Sequence, residues 1–270
     1  MSDYILSCCS TVDLSNEHLA SRNINYLCFH YSLDGKEYPD DLGQTVSFKN
    51  FYDAMRNGAE TRTSQISISE YLEYFTSFLK EGKDIIHVAL SSGISGSANS
   101  ARNAAAIASE QYPDRKIYIV DSLRDWAEDN KIRLHHWFFS TDLTFYVKGG
   151  RVSKAAGLFG GLLNICPLLH VDENGRLIPK KKVQGKSKVI KEIVKCMEKY
   201  ADDGLDYSGK CYMCNSDCIE DAQAVAKIIE EKFPKLKEKV LINSIGTTIG
   251  SHSGPGTVAI FFWGESRKQD

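Results

Sequence analysis

The chain has 270 residues, 42% hydrophobic and 25% charged, ordinary globular usage and enough for one large or two average domains with a sizeable core. Its 33 Lys and Arg against 35 Asp and Glu leave a net charge of −2, which argues against a general nucleic-acid binder. With no apolar run of about 18 residues and no basic-then-apolar leader pattern in MSDYILSCCST, a cytoplasmic protein without membrane insertion is expected, its eight cysteines reduced.

In chain order, residues 4–10 read as a short apolar strand and 14–21 as a brief helix. Residues 24–33 alternate as one strand, ending in the turn pair Asp34-Gly35. Ser47 caps a helix over 48–57, with Gly58 just past its end. Ser67-x-x-Glu70 has the spacing of a capping box and opens a helix over 68–80, which Gly82 stops. The run Ile85-Ile86-His87-Val88-Ala89-Leu90 is short, continuous and β-branched, the pattern of a strand buried in a parallel sheet. A Ser/Gly loop, an Ala-rich helix over 98–111 ended by Pro113, and a strand over 116–120 closing on Asp121-Ser122 complete a βαβ unit.

The second half mixes hairpins with helices. Strands at 166–171 and 177–183 flank the hairpin signal Asp172-Glu173-Asn174-Gly175-Arg176. Helices are expected over 187–200 and 217–233, and strands over 211–215, 240–244 and 257–263. The predicted fold class is α/β in two domains. Residues 1–134 form a mainly parallel sheet with flanking helices, and 135–270 form an α+β domain.

Four loops hold side chains with chemistry to offer. Arg62-Thr63-Ser64-Gln65 places hydroxyls and an amide before a helix start, where they hold an anion or serve as ordinary turn chemistry. Ser91-Ser92-Gly93-Ile94-Ser95-Gly96-Ser97 lies at the C-terminal end of a parallel strand and at a helix N-terminus, the place where open α/β sheets bind ligands. Its glycines permit close approach and its amides favour a negative group. It nearly spells the nucleophile elbow G-x-S-x-G, but Ser97 stands where the last glycine is needed. Gly149-Gly150-Arg151-Val152-Ser153 precedes an apolar helix over 155–165, whose Leu158, Phe159 and Leu162 are core residues or the wall of a lipid tunnel. The segment from Gly246 to Gly256 presents His252 in a Gly/Pro-confined loop, as a surface residue or as a proton or phosphate handler. Cys211-x-x-Cys214-x-x-x-Cys218 does not make a metal site, because strand alternation sends Cys211 and Cys214 to opposite faces and no fourth ligand follows.

Taken in order, Ser10-Thr11-Val12-Asp13-Leu14, Thr63-Ser64-Gln65, the loop 91–97, Val120-Asp121-Ser122, Asp142-Leu143, Gly149-Gly150-Arg151-Val152-Ser153 and His252-x-Gly254-Pro255-Gly256 resemble the DegV family of bacterial fatty-acid-binding proteins from end to end. That family includes the lipid-carrying subunits of fatty acid kinase. The resemblance implies a two-domain DegV-like fold with a long-chain fatty acid clamped between the domains and no other cofactor. It implies a carboxylate held by Thr63 and Ser95, with Ser64, Gly96 and His252 near the head group and Leu158, Phe159 and Leu162 along the acyl chain. It also implies a non-catalytic carrier whose partner is the ATP-binding subunit of the kinase.

Three departures from the family pattern stand out. Cys9 occupies the place of an aspartate, and Gln184 lies where an arginine is frequent. Asp121-Ser122-Leu123 runs into Arg124-Asp125-Trp126 where the family has an additional helix; its loss would expose one face of the sheet, which favours a segment missing from the sequence over a deletion from the fold. The rival functions are a serine hydrolase using Ser95 and His252, weakened by the broken elbow and an unassigned acid, and a phosphotransferase, weakened by the lack of a G-x-x-x-x-G-K-[ST] loop.

Overall fold

The computed structural model describes residues 4–122, 131–152, 164–173 and 175–267. They group into two compact units, one of Met1–Thr45 with Glu60–Lys131 and one of Val46–Ala59 with Ile132–Asp270.

The first unit is built on a parallel sheet of β1 (Tyr4–Cys9), β2 (Ile24–Leu27), β6 (Asp84–Ala89) and β7 (Ile117–Asp121), in the order β2-β1-β6-β7. The β1–β2 and β6–β7 connections leave in opposite directions, so the C-terminal ends of β1 and β6 form a topological switch point. The helices Ile68–Lys80 and Ser97–Gln111 cover one face, with Ile5, Tyr71, Phe75, Leu79, Ile85 and Ala89 in the core. Ala98, Ala101, Ala104, Ala105 and Ala108 form the buried stripe of the second helix, and their small size lets the two helices approach closely. Ser67 and Glu70 make the expected capping box, both halves present.

On the opposite face, register places Leu6, Ile86 and Tyr118 side by side. Tyr4, Leu6 and Tyr118 are 51%, 37% and 54% exposed there.

Residues 24–33 are not one strand. After β2 the chain passes Cys28 and Phe29 and enters a second, antiparallel sheet, β4-β3-β5, built from β3 (His30–Leu33), β4 (Lys36–Pro39) and β5 (Thr61–Ser64). The break is anchored by Ser10 Oγ, which accepts the Phe29 amide at 3.0 Å, and by the Asp40 amide, which donates to Phe29 O at 2.8 Å. Asp34 and Gly35 both have positive φ, 51° and 79°, as the two-residue β3–β4 turn requires.

The second unit holds a six-stranded mixed sheet, β10-β9-β8-β13-β11-β12. Its strands are β8 (Leu134–Ser140), β9 (Ile165–Val171), β10 (Leu177–Gln184), β11 (Tyr212–Asn215), β12 (Leu241–Ser244) and β13 (Thr257–Trp263). The helices Lys186–Tyr200 and Ile219–Lys232 pack on one face around Phe139, Leu168, Ile193, Met213, Ile229 and Phe262. The other face carries a smaller cluster of Phe138, Leu143, Tyr146, Val152 and Leu169.

Residues 46–59 belong with this unit and not with the residues that flank them in sequence. The helix Phe48–Arg56 is held by Tyr52, whose hydroxyl donates to Ile245 O at 2.7 Å, and by an ion pair of Arg56 with Asp217.

Candidate functional site

The first unit gathers its candidate residues at the switch point. Beyond β6 the loop 91–97 is folded by its own oxygens. The Ile94 and Ser95 amides both donate to Ser91 O at 3.1 Å, and the Gly93 amide donates to Ser91 Oγ at 3.1 Å. The Ser92 amide donates to the buried Asp121 carboxylate at 3.2 Å, which also accepts from Arg102 at 3.4 Å. Asp121, the end of β7, is thus an anchor for the loop.

These bonds revise the expectation that the loop presents a set of amides to an anion. Five of its amides, those of Ser92, Gly93, Ile94, Ser95 and Ser97, are turned inward, so side chains must do most of the work at a ligand's head. Ser95 Oγ accepts from the Ser97 amide at 3.2 Å, which leaves the Ser95 O–H available as a donor. Ser95 is half-buried, as a group must be to be held and still be reached.

Thr63 and Ser64 lie on β5, where a loop was expected, opposite Tyr31 and His30 of β3. Thr63 is half-buried and Ser64 exposed, by strand alternation. The strand runs directly into Gln65, and a Cβ on Gly96 would collide with the Gln65 carboxamide. The two motifs Thr63-Ser64-Gln65 and Ser95-Gly96-Ser97 therefore meet, with the Gln65 carboxamide against Gly96. Asp121 belongs to the motif Val120-Asp121-Ser122, whereas Tyr71, whose hydroxyl lies 2.8 Å from Ser97 Oγ, carries no local signal beyond its place in a helix.

In the second unit, His252 is not in a loop. Residues Thr247–Ser253 form a short helix that begins after Gly246, with Ser251 Oγ donating back to Thr247 O at 2.8 Å. It stops at Gly254 with φ 68°, followed by Pro255. Thr, Gly and Ser are poor helix formers, and tertiary contact supplies the order. A Cβ at Gly250 would strike the Tyr52 ring, and a Cβ at Gly149 would strike His252 Nδ1. The Gly149-Gly150-Arg151 motif thus leaves space for the imidazole edge. Arg151 Nη1 donates to Gly149 O at 2.6 Å.

Burial, with the Arg151 guanidinium adding to it, lowers the His252 pKa to about 4. The ring is neutral at pH 7 and offers an N–H or a lone pair, not a cation. Leu158, Phe159 and Leu162, the expected acyl-chain wall, and Ser153 before them lie outside the described residues. Among the described residues no cluster of three or more His, Cys, Asp or Glu side chains is placed to hold a metal, and no helix is long and apolar enough to cross a membrane.

A family profile described as uncharacterised proteins of the DegV family matches residues 9–124 and 122–265. The chain belongs to the DegV family. The two matches break where Asp121-Ser122-Leu123 meets Arg124, the point at which the sequence is shorter than the family pattern. A DegV domain-containing protein of Clostridium perfringens is 32% identical over 294 residues, covering 99% of this chain and 100% of its own. That alignment is longer than the 270-residue chain, so this DegV relative carries segments that the present chain lacks.

Two solved structures superpose closely. A stearic-acid-binding protein from Eubacterium ventriosum has a TM-score of 0.83 at 22% identity, covering 96% of this chain and 98% of its own. The fatty acid kinase B3 protein of Streptococcus pneumoniae, loaded with linoleic acid, has a TM-score of 0.79 at 20% identity, covering 97% and 99%. At these identities they establish the fold: α/β, with a helix-flanked parallel sheet and a second, mixed sheet.

Proposed function

We propose that this DegV protein binds one long-chain fatty acid without chemical change, holds its carboxylate through the hydroxyls of Ser95 and Thr63, and presents it to a partner kinase that forms the acyl phosphate. The observation that carries the reading is the state of Ser95. Its oxygen accepts from the Ser97 amide at the C-terminal end of the parallel sheet, which leaves its O–H available to donate to a ligand bound there. A carboxylate accepts such a proton, and hydrogen bonds to a charged acceptor are the strong ones. Ser64 and Gly96 are assigned to the head group, and Leu158, Phe159 and Leu162 to the acyl chain, on sequence alone. Each buried methylene contributes ~0.8 kcal/mol, so roughly fifteen carbons contribute on the order of 10 kcal/mol before association costs. The polar groups need only fix the head. The fatty acids named in the two solved relatives support the same reading.

The hydrolase alternative asks Ser95 to be deprotonated. Within its own unit, the buried His87 is engaged by Ser7 at 2.5 Å and by Cys9 at 3.6 Å, and His30 by Glu70 at 2.5 Å. Neither contacts Ser95 among the described residues.

The test is titration of hexadecanoic acid into Thr63→Ala and Ser95→Ala, with folding checked by circular dichroism. Each variant should bind roughly ten- to a hundred-fold more weakly, the equivalent of about 1.5–3 kcal/mol per charged hydrogen bond. Wild-type affinity in both variants would place the head group elsewhere. Labelling of Ser95 by a fluorophosphonate, with ester turnover lost in Ser95→Ala, would favour the hydrolase.

A further inference from the structure

A continuous line of five polar side chains runs through the apolar core of the first unit. Ser7 Oγ lies 2.5 Å from His87 Nδ1, His87 Nε2 3.6 Å from Cys9 Sγ, Cys9 Sγ 3.2 Å from the Tyr71 hydroxyl, and that hydroxyl 2.8 Å from Ser97 Oγ. All five residues are 2% exposed or less. The line ends on the first residue of the helix Ser97–Gln111, whose amide donates to Ser95 Oγ. That helix begins at Gly96 with no side-chain cap. Its first turn is instead tied from beneath, by Tyr71 of the helix Ile68–Lys80 and, through Cys9, by β1.

We propose that Tyr71 is a positioning residue for the head-group site, holding Ser97 so that the Ser97 amide fixes the Ser95 hydroxyl in its donating direction. The inference rests on the fatty-acid reading above and extends it to a residue that touches no ligand. The physical ground is satisfaction. Cys9 also bonds Ser97 directly, so deleting the Tyr71 hydroxyl takes from Ser97 its strong oxygen partner, leaves it only the weaker thiol, and frees it to reorient. Ser97 deprived of Tyr71 turns its Oγ toward other partners, and the turn that carries its amide follows. Cys9 gives the line an uncharged thiol where the family pattern has an aspartate. Burial raises the thiol pKa and holds His87 down at about 3, so the line is neutral throughout at pH 7.

Tyr71→Phe keeps the ring against Phe75 and His87 and removes only the hydroxyl. The experiment is a double-mutant cycle: hexadecanoic acid affinity of the wild type, Tyr71→Phe, Ser95→Ala and the double variant, together with the carboxyl resonance of 1-¹³C-hexadecanoic acid bound to each. Tyr71→Phe should bind on the order of three- to ten-fold more weakly. It should move the carboxyl resonance in the same direction as Ser95→Ala, and it should cost nothing further once Ser95 is alanine. Ser97→Ala, which breaks the same link from the other side, should reproduce the Tyr71→Phe result and stands in if that variant folds poorly. Wild-type affinity in Tyr71→Phe, or a loss that is the same with Ser95 intact as in the Ser95→Ala background, overturns the positioning role and leaves the head-group reading intact. Wild-type affinity in Ser95→Ala overturns the head-group reading and the role of Tyr71 with it.

Discussion

The protein should lose most of its stability between pH 6.5 and 4.5, well above the range in which carboxylates alone would act. His87 and His170 are fully buried, and burial lowers their pKa values to about 3 and about 2, with His135, Arg267, Lys180 and His136 also disfavouring charge on His170. His136, lowered to about 3 mainly by burial, and His252, at about 4, act in the same sense. In the unfolded chain each returns to an ordinary value near 6.5. Below that value the unfolded state binds protons that the folded state refuses, so stability is full above pH 6.5 and falls steadily as the pH drops toward the folded values.

Each such histidine costs ~1.4 kcal/mol per pH unit over this window, so His87 and His170 alone remove on the order of 5 kcal/mol by pH 4.5. That compares with a total of about 5–15 kcal/mol for a typical protein. Glu70 and Glu192, whose pKa values are lowered, add their loss only at lower pH, as the solution passes through the carboxylate range. Urea unfolding at pH 7.5, 6.0 and 5.0 checks the claim, with the midpoint falling at each step. A midpoint unchanged down to pH 5 would mean that these rings are solvated in the native state.

His252→Ala should separate carriage from phosphorylation. The DegV resemblance implies His252 near the head group, and on the reading proposed above a neutral imidazole would add little to a carboxylate that two hydroxyls hold. An acyl phosphate in formation carries more negative charge, and an N–H donor aimed at it stabilises the transition state preferentially. Burial and Arg151 lower the His252 pKa in the ligand-free chain, so the contribution is taken as that of one neutral donor. Loss of one preorganised donor of this kind costs about 10²–10³ in turnover. The variant should therefore retain its fatty acid and, with a fatty acid kinase ATP-binding subunit supplied, fall by that factor in acyl-phosphate formation. Binding and turnover that fall together, or turnover that does not fall, would remove His252 from the chemistry.

Where local chemistry is self-contained, the sequence announces it. The Ser67/Glu70 capping box, the Asp172 hairpin and the β6–helix–β7 unit each state their conformation within a few residues, and all are found as expected. What was illegible depends on distant partners. The strand over 24–33 divides because Ser10 captures the Phe29 amide, a contact nineteen residues away in sequence. The helix around His252 has the composition of a loop and is made helical by Tyr52 and Phe51 packed against Gly250. The site behaves likewise. The motif residues Thr63, Ser95 and His252 are visible as motifs, whereas the roles of Gly96 and Gly149 emerge only when the side chains of Gln65 and His252 are seen against them.

The central claim, that this DegV protein is a fatty-acid carrier, is tested most directly by native mass spectrometry of the purified chain with identification of the extracted lipid. The account predicts one long-chain fatty acid per chain, released on denaturation and restored by incubation with C16 or C18 acids. A chain that stays free of lipid after that incubation would contradict it.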